Sequence, residues 1–156
     1  MRKIHHFLLS TMVMLLVIAS LTTFAFAAES ECAQSQKFED GSYMVVTIEY
    51  DQPQEGISYF ASRSTTGGTK KYAYYNGSNQ LTWEFWVHGT FSYNGATATA
   101  TGAEYGYKIY DSSWRFVEGR STYSGATATA TGSFKQLLFP FTATVDLTCS
   151  PSGALS

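Results

Sequence analysis

The chain has 156 residues, of which 44% are hydrophobic, 16% aromatic and only 14% charged, whereas roughly 25% are charged in an average soluble domain. This composition excludes a disordered chain, and the length excludes a multidomain enzyme. The formal net charge is −2 and no basic stripe is present to neutralise phosphates, which disfavours a nucleic-acid partner. Without the N-terminal export signal predicted below, only one histidine (His88) and two cysteines (Cys32 and Cys149) remain, which are too few for the usual zinc or iron ligand sets, so we expect no metal and no cofactor.

The N-terminus has the pattern of a secretory signal peptide. Arg2 and Lys3 precede an apolar stretch over residues 7–21, and residues 25–27 (Ala-Phe-Ala) place small side chains at the two positions that signal peptidase recognises. We therefore predict cleavage after Ala27, a secreted extracellular product without a stable membrane anchor, and a single domain over residues 28–156. An uncleaved anchor is the alternative, because the stretch is almost long enough to span a bilayer.

Cys32 and Cys149 lie near the two ends of the predicted mature chain, in a compartment where disulfides persist. We predict that they pair, with Cα atoms roughly 5–6 Å apart. The closed loop would be longer than about 100 residues, for which the chain-entropy model gives on the order of 4–5 kcal/mol of stabilisation. A reactive thiol is the alternative, but neither cysteine has a neighbouring histidine or lies in a C-x-x-C motif.

A sixteen-residue segment occurs twice in the chain. Residues 87–102 and 117–132 are identical at eleven of sixteen positions. The first copy contains Asn94-Gly95 and the second Ser124-Gly125, which are turn signals because glycine and asparagine tolerate the positive φ of a two-residue hairpin turn. Each copy therefore predicts a β-hairpin.

The predicted pairing separates an apolar face from a hydroxylated face. With a turn at Asn94-Gly95, the apolar face pairs Tyr93 with Ala96, Phe91 with Ala98, and Gly89 with Ala100. The other face pairs Ser92, Thr90 and His88 with Thr97, Thr99 and Thr101. In the second hairpin the same register pairs Tyr123 with Ala126, and Thr122, Arg120 and Glu118 with Thr127, Thr129 and Thr131.

Alternation of apolar and polar residues predicts the remaining strands near residues 43–50, 57–62, 70–75, 81–87, 107–110 and 139–149, with a further turn at Asn76-Gly77. The total is about eight short strands with no helical period after residue 27. This pattern is typical of an all-β antiparallel β-sandwich, immunoglobulin-like or jelly-roll-like, or of an up-and-down β-barrel. We favour the sandwich, because alanine-rich strands suit the close packing of two sheets.

Several motifs of the C-terminal half carry a resemblance. They are residues 74–77 (Tyr-Tyr-Asn-Gly), Leu81 and Trp83, residues 87–95, residues 110–114 (Tyr-Asp-Ser-Ser-Trp) and residues 147–153. With these motifs the chain resembles, over roughly residues 70–156, a group of small exported proteins of Gram-positive bacteria that have no assigned activity. The resemblance implies export and an all-β domain and supplies no catalytic residue. Members often carry a cysteine where this chain has Ala100, so the Cys32–Cys149 pairing is not implied by the resemblance.

Trp86 is the main candidate for ligand binding. Alternation places it on the polar face between Glu84 and His88, and an exposed indole beside polar groups is common on sugar- and protein-binding surfaces. Tyr72 and Tyr74 on the preceding strand would extend this aromatic surface. The alternatives are that another strand or loop covers Trp86 and that the tyrosines are ordinary sheet residues.

No catalytic constellation is evident in the sequence. Glu84 and Glu118 are a candidate acid pair for glycoside hydrolysis, which needs two carboxyl groups at a defined separation, but no partner motif surrounds them. His88 has no recognisable nucleophile and orienting acid near it. The threonine rows of the two hairpins would form an ice-binding array only if the hairpins lay side by side, and threonine suits any solvated strand.

These observations predict a secreted, non-catalytic module that binds a cell-surface or matrix partner, carbohydrate or protein, through its aromatic-rich polar face. A small secreted enzyme such as a glycosidase is the first alternative. A secreted antagonistic protein or toxin is the second, which the low charge and the lack of an amphipathic helix disfavour.

Overall fold

The computed structural model describes residues 31–51 and 63–156. The predicted signal peptide and the predicted strand at residues 57–62 lie outside these residues. The described part contains eight strands: β1 (Glu31–Lys37), β2 (Tyr43–Tyr50), β3 (Ser64–Tyr75), β4 (Leu81–Tyr93), β5 (Ala98–Ile109), β6 (Trp114–Ser124), β7 (Thr127–Gln136) and β8 (Phe139–Thr148). Within it, no helix is long and apolar enough to cross a membrane.

The strands form two antiparallel sheets that pack face to face. One sheet has the order β1-β2-β3-β4-β5 and the other the order β6-β7-β8, and they are not closed into a barrel. The predicted all-β antiparallel sandwich is therefore confirmed. Neighbouring strands are always consecutive in the sequence, so the connectivity is a meander, without the Greek-key connections of immunoglobulin-like and jelly-roll domains.

Strand prediction was most accurate where alternation was regular. The strand over residues 43–50 is confirmed as β2, and residues 70–75 and 107–110 are parts of the longer β3 and β5. Strand β1 was not predicted, because its sequence (ECAQSQK) is polar and shows no alternation.

The core lies between the two sheets and is built mainly from β4, β7 and β8. Trp83, Phe85 and Phe91 of β4 are fully buried, and the Trp83 ring stacks on Phe134 of β7 with centroids 4.4 Å apart. Gly132 leaves the space that the Phe85 ring fills, since a Cβ there would come within 2.6 Å of Phe85 Cε2. Burial of one such aromatic side chain contributes about 1.5–3 kcal/mol, so these rings hold the sheets together.

Both predicted hairpins exist, but their registers differ from the prediction by two residues. Tyr93 pairs with Ala98 rather than Ala96, and Tyr123 pairs with Ala128 rather than Ala126. The reason is the turn position. Gly95 and Gly125 have positive φ values of 84° and 57° and each is the first central residue of its turn, as in a type II′ turn, rather than the second. A shift of two residues keeps every side chain on its predicted face.

A β-bulge next to Thr90 changes the pairing further from the turn. His88 pairs with Glu104 and not with the predicted Thr101. The hydroxyl of Thr101 instead lies 3.1 Å from that of Thr90. The extra residue on β5 therefore moves Glu104 onto the face that carries His88.

Cys149 follows β8 and is buried in the core, with its thiol 3.3 Å from the carbonyl oxygen of Ser150. Burial raises the pKa of this thiol. The backbone of Cys32 pairs with Thr47 on β1 and β2, and its side chain lies outside the described part of the chain. The predicted disulfide therefore stays a prediction.

Candidate functional site

The outer face of the five-stranded sheet carries Trp86 at its centre. Trp86 is half-buried and its two cross-strand neighbours are Lys71 on β3 and Gly106 on β5. The indole lies across β5, because a Cβ at Gly106 would clash with indole atoms Cε2 and Cζ2. Because Gly106 has no side chain, the indole ring can lie over the backbone of the neighbouring strand.

Charged and hydroxyl groups surround the indole on the side of Glu84. Lys71 Nζ lies 3.8 Å from Glu84 Oε1 and 3.9 Å from Glu49 Oε1. The Tyr110 hydroxyl donates a hydrogen bond of 2.7 Å to Glu84 Oε2, and this bond raises the pKa of Tyr110. Both oxygens of Glu84 are therefore engaged, which fixes the carboxylate beside Trp86.

A second polar pair lies on the other side of the indole. His88 Nε2 is 3.0 Å from Asp51 Oδ2, an ion pair when the imidazole is protonated. Asp51 lies over Gly67 of β3, where a Cβ would clash with Asp51 Oδ2. As at Gly106, the absence of a side chain on Gly67 gives a side chain of the outer face room to cross the neighbouring strand. We call Trp86 and the polar residues around it the Trp86 face; they are Glu49, Asp51, Lys71, Glu84, His88 and Tyr110.

The structure brings together three of the five predicted binding residues. Glu84, Trp86 and His88 share the outer face, as predicted from alternation. Tyr72 and Tyr74 do not, and their predicted place beside Trp86 is wrong. They pair with Phe85 and Trp83 and so face the core, where Tyr74 stacks on Trp83 with ring centroids 5.2 Å apart.

The proposed acid pair is separated by the whole sandwich. Glu84 projects outward from β4 between two buried core residues, whereas Glu118 pairs with Ser133 on the outer face of the three-stranded sheet. Glycosidase carboxyl groups lie about 5–9.5 Å apart, while the backbones of two packed sheets are already about 10 Å apart. Because both side chains point away from the core, Glu84 and Glu118 cannot act on one glycosidic bond.

The two threonine rows also lie apart. Thr97, Thr99 and Thr101 belong to the β4–β5 hairpin, and Thr127, Thr129 and Thr131 to β7 of the other sheet. The condition for a joint ice-binding array is therefore not met. The β7 row faces Thr148, Asp146 and Thr144 of β8, and the Thr129 hydroxyl donates a 2.7 Å hydrogen bond to Asp146.

Sequence reasoning missed the residues that come from other strands. Glu49 lies near the end of β2, Asp51 directly follows β2, and Lys71 lies on β3. Their position beside Trp86 and His88 therefore depends on pairing between strands. The only signal in the sequence for this proximity is the turn at Asn76-Gly77, which indicates that β3 and β4 are neighbours.

No group of three or more His, Cys, Asp or Glu side chains that could hold a metal ion occurs in residues 31–51 and 63–156.

The arrangement offers groups that can bind a ligand, and it also places an acid beside His88, the Asp51 carboxylate, which was not found from the sequence. An indole face offers dispersion and π contacts to a sugar ring or an aliphatic chain, and the adjacent carboxylates and ammonium group offer hydrogen bonds that orient it. A shallow pocket of 340 Å³ adjoins Tyr110 and includes Leu81, Thr82 and Asp111 in its lining.

Comparisons with protein-family models, with curated proteins and with solved structures found no match for this chain.

Proposed function

We propose that this protein is a secreted, non-catalytic binding module that recognises a cell-surface or matrix partner through the Trp86 face. The single observation that carries the proposal is the half-buried Trp86 indole, held over Gly106 among Lys71, Glu84 and His88. A large aromatic ring with a polar rim is the usual core of a binding surface. A ring that the surrounding residues already hold in place loses little conformational entropy on binding.

A carbohydrate is the partner that fits this surface best. The indole lies on the flat outer side of a sheet and the nearby polar groups are already paired with each other, as in the contacts between Lys71 and Glu84 and between His88 and Asp51. Sugar hydroxyls both donate and accept hydrogen bonds, so they can join such pairs without leaving a charge uncompensated. A protein with an exposed aliphatic or aromatic anchor is the second candidate.

The test is a glycan array followed by titration of the best ligand with wild type and Trp86→Ala. Loss of a central tryptophan typically costs about 2 kcal/mol or more, which is roughly a thirty-fold weaker Kd. Gly106→Val is the second variant, because its side chain displaces the indole without deleting it. Tyr123→Ala is the matched control, since Tyr123 is an exposed aromatic residue on the other sheet.

Thermal unfolding of each variant separates lost binding from lost folding. The proposal requires that Trp86→Ala and Gly106→Val both weaken binding while Tyr123→Ala does not. Binding that is equal in all four proteins would contradict it. If no glycan binds, crosslinking to cell-surface extracts with the same four proteins tests the protein partner.

We also infer export and a Cys32–Cys149 disulfide from the sequence. Cleavage after Ala27 predicts a mature N-terminus at Ala28, which N-terminal sequencing of secreted material checks. The buried position of Cys149 supports a structural rather than a reactive role. An intact mass that rises by two hydrogen atoms on reduction supports the disulfide, and two alkylatable thiols in the native protein would refute it.

A further inference from the structure

The turn between β7 and β8 exposes three consecutive apolar side chains. Gln136 pairs with Phe139, so Leu137 and Leu138 are the two central residues of the turn. Leu137, Leu138 and Phe139 are 79%, 84% and 76% exposed. A single exposed leucine is ordinary, but a contiguous apolar group at the tip of a hairpin marks an interaction site. We call residues 137–139 the apolar tip.

The backbone of the apolar tip is unusual for these residues. Leu137 has a φ of 53°, the left-handed conformation that bulky residues rarely adopt. A two-residue hairpin turn with positive φ at its first central residue prefers Gly there, and polar residues such as Asn or Ser are common at the second. Leu137 therefore suits neither the turn nor its exposure to water, and Leu138 does not suit the exposure. Their presence points to a role outside the folding of the hairpin.

Two basic side chains lie directly behind the apolar tip. Arg115 of β6 and Lys135 of β7 are cross-strand partners, one residue before the pair that closes the turn. Neither forms an ion pair within the described part of the chain. The nearest acids along these strands and turns are Glu118, which pairs with Ser133, and Asp111, whose carboxylate accepts a hydrogen bond from the Ser113 N–H. Two like charges held opposite each other favour an anionic partner.

We propose that the apolar tip inserts into the surface of an anionic lipid bilayer, with Arg115 and Lys135 against the lipid headgroups. Along the hairpin, the apolar tip would contact the acyl chains and the basic pair behind it would contact the headgroups, which is the order of these two layers in a bilayer. Apolar side chains that bind at a membrane surface reach about 5–10 Å below the headgroups. A strand advances about 3.3 Å per residue, so the basic pair lies two to three residues, or roughly 7–10 Å, behind the end of the tip.

Other occupants fit this tip less well. A second copy of the chain that packed tip against tip would bring the Arg115 and Lys135 pairs of both copies together, and like charges repel. A convex tip also needs a matching pocket in a protein partner, whereas a fluid bilayer accommodates any apolar protrusion. The proposal is independent of the Trp86 face, which lies on the other sheet.

Binding to sedimented vesicles tests the proposal with the purified secreted protein. The vesicles consist of phosphatidylcholine alone or of an equimolar mixture with phosphatidylglycerol. We expect measurable binding to the mixed vesicles, weaker binding to the neutral ones, and a decrease with added salt. The double variant Leu137→Gly, Leu138→Asn should bind about a hundred-fold more weakly, because each of the two inserted leucines contributes about ten-fold.

This double variant should not unfold the protein, since Gly at the position with positive φ, followed by Asn, suits the turn better than Leu-Leu. The pair Arg115→Gln, Lys135→Gln should weaken binding to the mixed vesicles by about five-fold for each charge and leave binding to neutral vesicles unchanged. Val117→Ser is the control, because Val117 is an exposed apolar residue of the same sheet away from the apolar tip. Trp86→Ala should bind vesicles as wild type does, which separates this proposal from the ligand-binding one.

Two results would overturn the proposal. The first is no binding to either vesicle type, or binding that the double variant leaves unchanged. The second is concentration-dependent dimerisation in sedimentation velocity that the double variant abolishes, in which case the tip contacts a second copy instead of a membrane.

Discussion

The β4–β5 and β6–β7 hairpins share eleven of sixteen residues in their repeated segments but occupy different environments. Their turns are equivalent, with Gly95 and Gly125 both at positive φ, and their registers agree from the turn as far as the bulge next to Thr90. Phe91 of the first hairpin is fully buried, and the residue at its position in the second is Ser121, whose hydroxyl donates to the carbonyl of Ala103. Shared residues thus determine the shape of the hairpin, and the differing ones determine what it contacts.

Even an identical residue has different surroundings in the two hairpins. Tyr93 is half-buried because the C-terminal turn packs on it, and a Cβ at Gly153 would come within 2.6 Å of Tyr93 Cζ. Tyr123, the equivalent residue, is 54% exposed. The repeated segment alone therefore does not predict burial, which depends on which part of the chain packs against it.

The largest expected effect separates a buried aromatic residue of the first hairpin, Phe91, from an exposed aromatic residue of the second, Tyr123. Phe91→Ala should lower the free energy of unfolding by about 3–5 kcal/mol, because it leaves a cavity between the sheets. Tyr123→Ala should change it by less than about 0.5 kcal/mol, since the ring is largely solvated. Denaturant unfolding of both variants measures the difference. Equal losses would mean that the second hairpin packs as the first does.

A smaller contrast is expected at a glycine that both segments share. Gly132→Ala places a Cβ 2.6 Å from the Phe85 ring in the core, whereas Gly102→Ala places it 2.7 Å from the Thr90 hydroxyl on the outer face. Overpacking in a core costs about 1–3 kcal/mol, and we expect less than about 1 kcal/mol where the neighbour is a small surface side chain. Thermal unfolding should rank the two variants in that order. The reverse order would contradict the assignment of the inner face.

The turns offer a third contrast. Asn94 Oδ1 accepts hydrogen bonds from the backbone N–H groups of Ala96 and Thr97 at 3.0 and 2.8 Å. Ser124, at the equivalent position, is exposed and forms no side-chain hydrogen bond within the described residues. Asn94→Ala should cost about 1 kcal/mol, and Ser124→Ala should be neutral within a few tenths. Urea unfolding of the two variants tests this, and an equal loss would show that the Asn94 side chain is not fixed in solution.

The sequence contained enough to predict the strands and their faces, because alternation in β4, β7 and β8 is regular. The position of the turn was wrong by one residue, since Asn94-Gly95 also fits a turn in which glycine comes second. The face of Tyr72 and Tyr74 could have been predicted. A hairpin through Asn76-Gly77 pairs even-numbered with odd-numbered residues, which places both tyrosines opposite core residues of β4, as observed.

Other features of the site depend on long-range structure. The bulge next to Thr90 brings Glu104 opposite His88, and no residue type in that stretch demands it. Asp51 reaches His88 only because β2 and β4 both pair with β3, which joins residues that are far apart in the sequence. Local patterns predict which side chains share a strand face, but the neighbours across strands follow from the complete sheet.

The smallest expected effect tests the face on which the binding proposal depends. Thr99 is exposed on the outer face and pairs with Ser92. Thr99→Ser removes one solvated methyl group and slightly lowers strand propensity, so the loss should be below about 0.5 kcal/mol, several-fold less than for Phe91→Ala. Both substitutions can be measured by denaturant unfolding under identical conditions. Because Trp86 and Thr99 project from the same side of the sheet, a loss for Thr99→Ser as large as that for Phe91→Ala would mean that this side is buried in solution, and Trp86 would then be unavailable to any ligand.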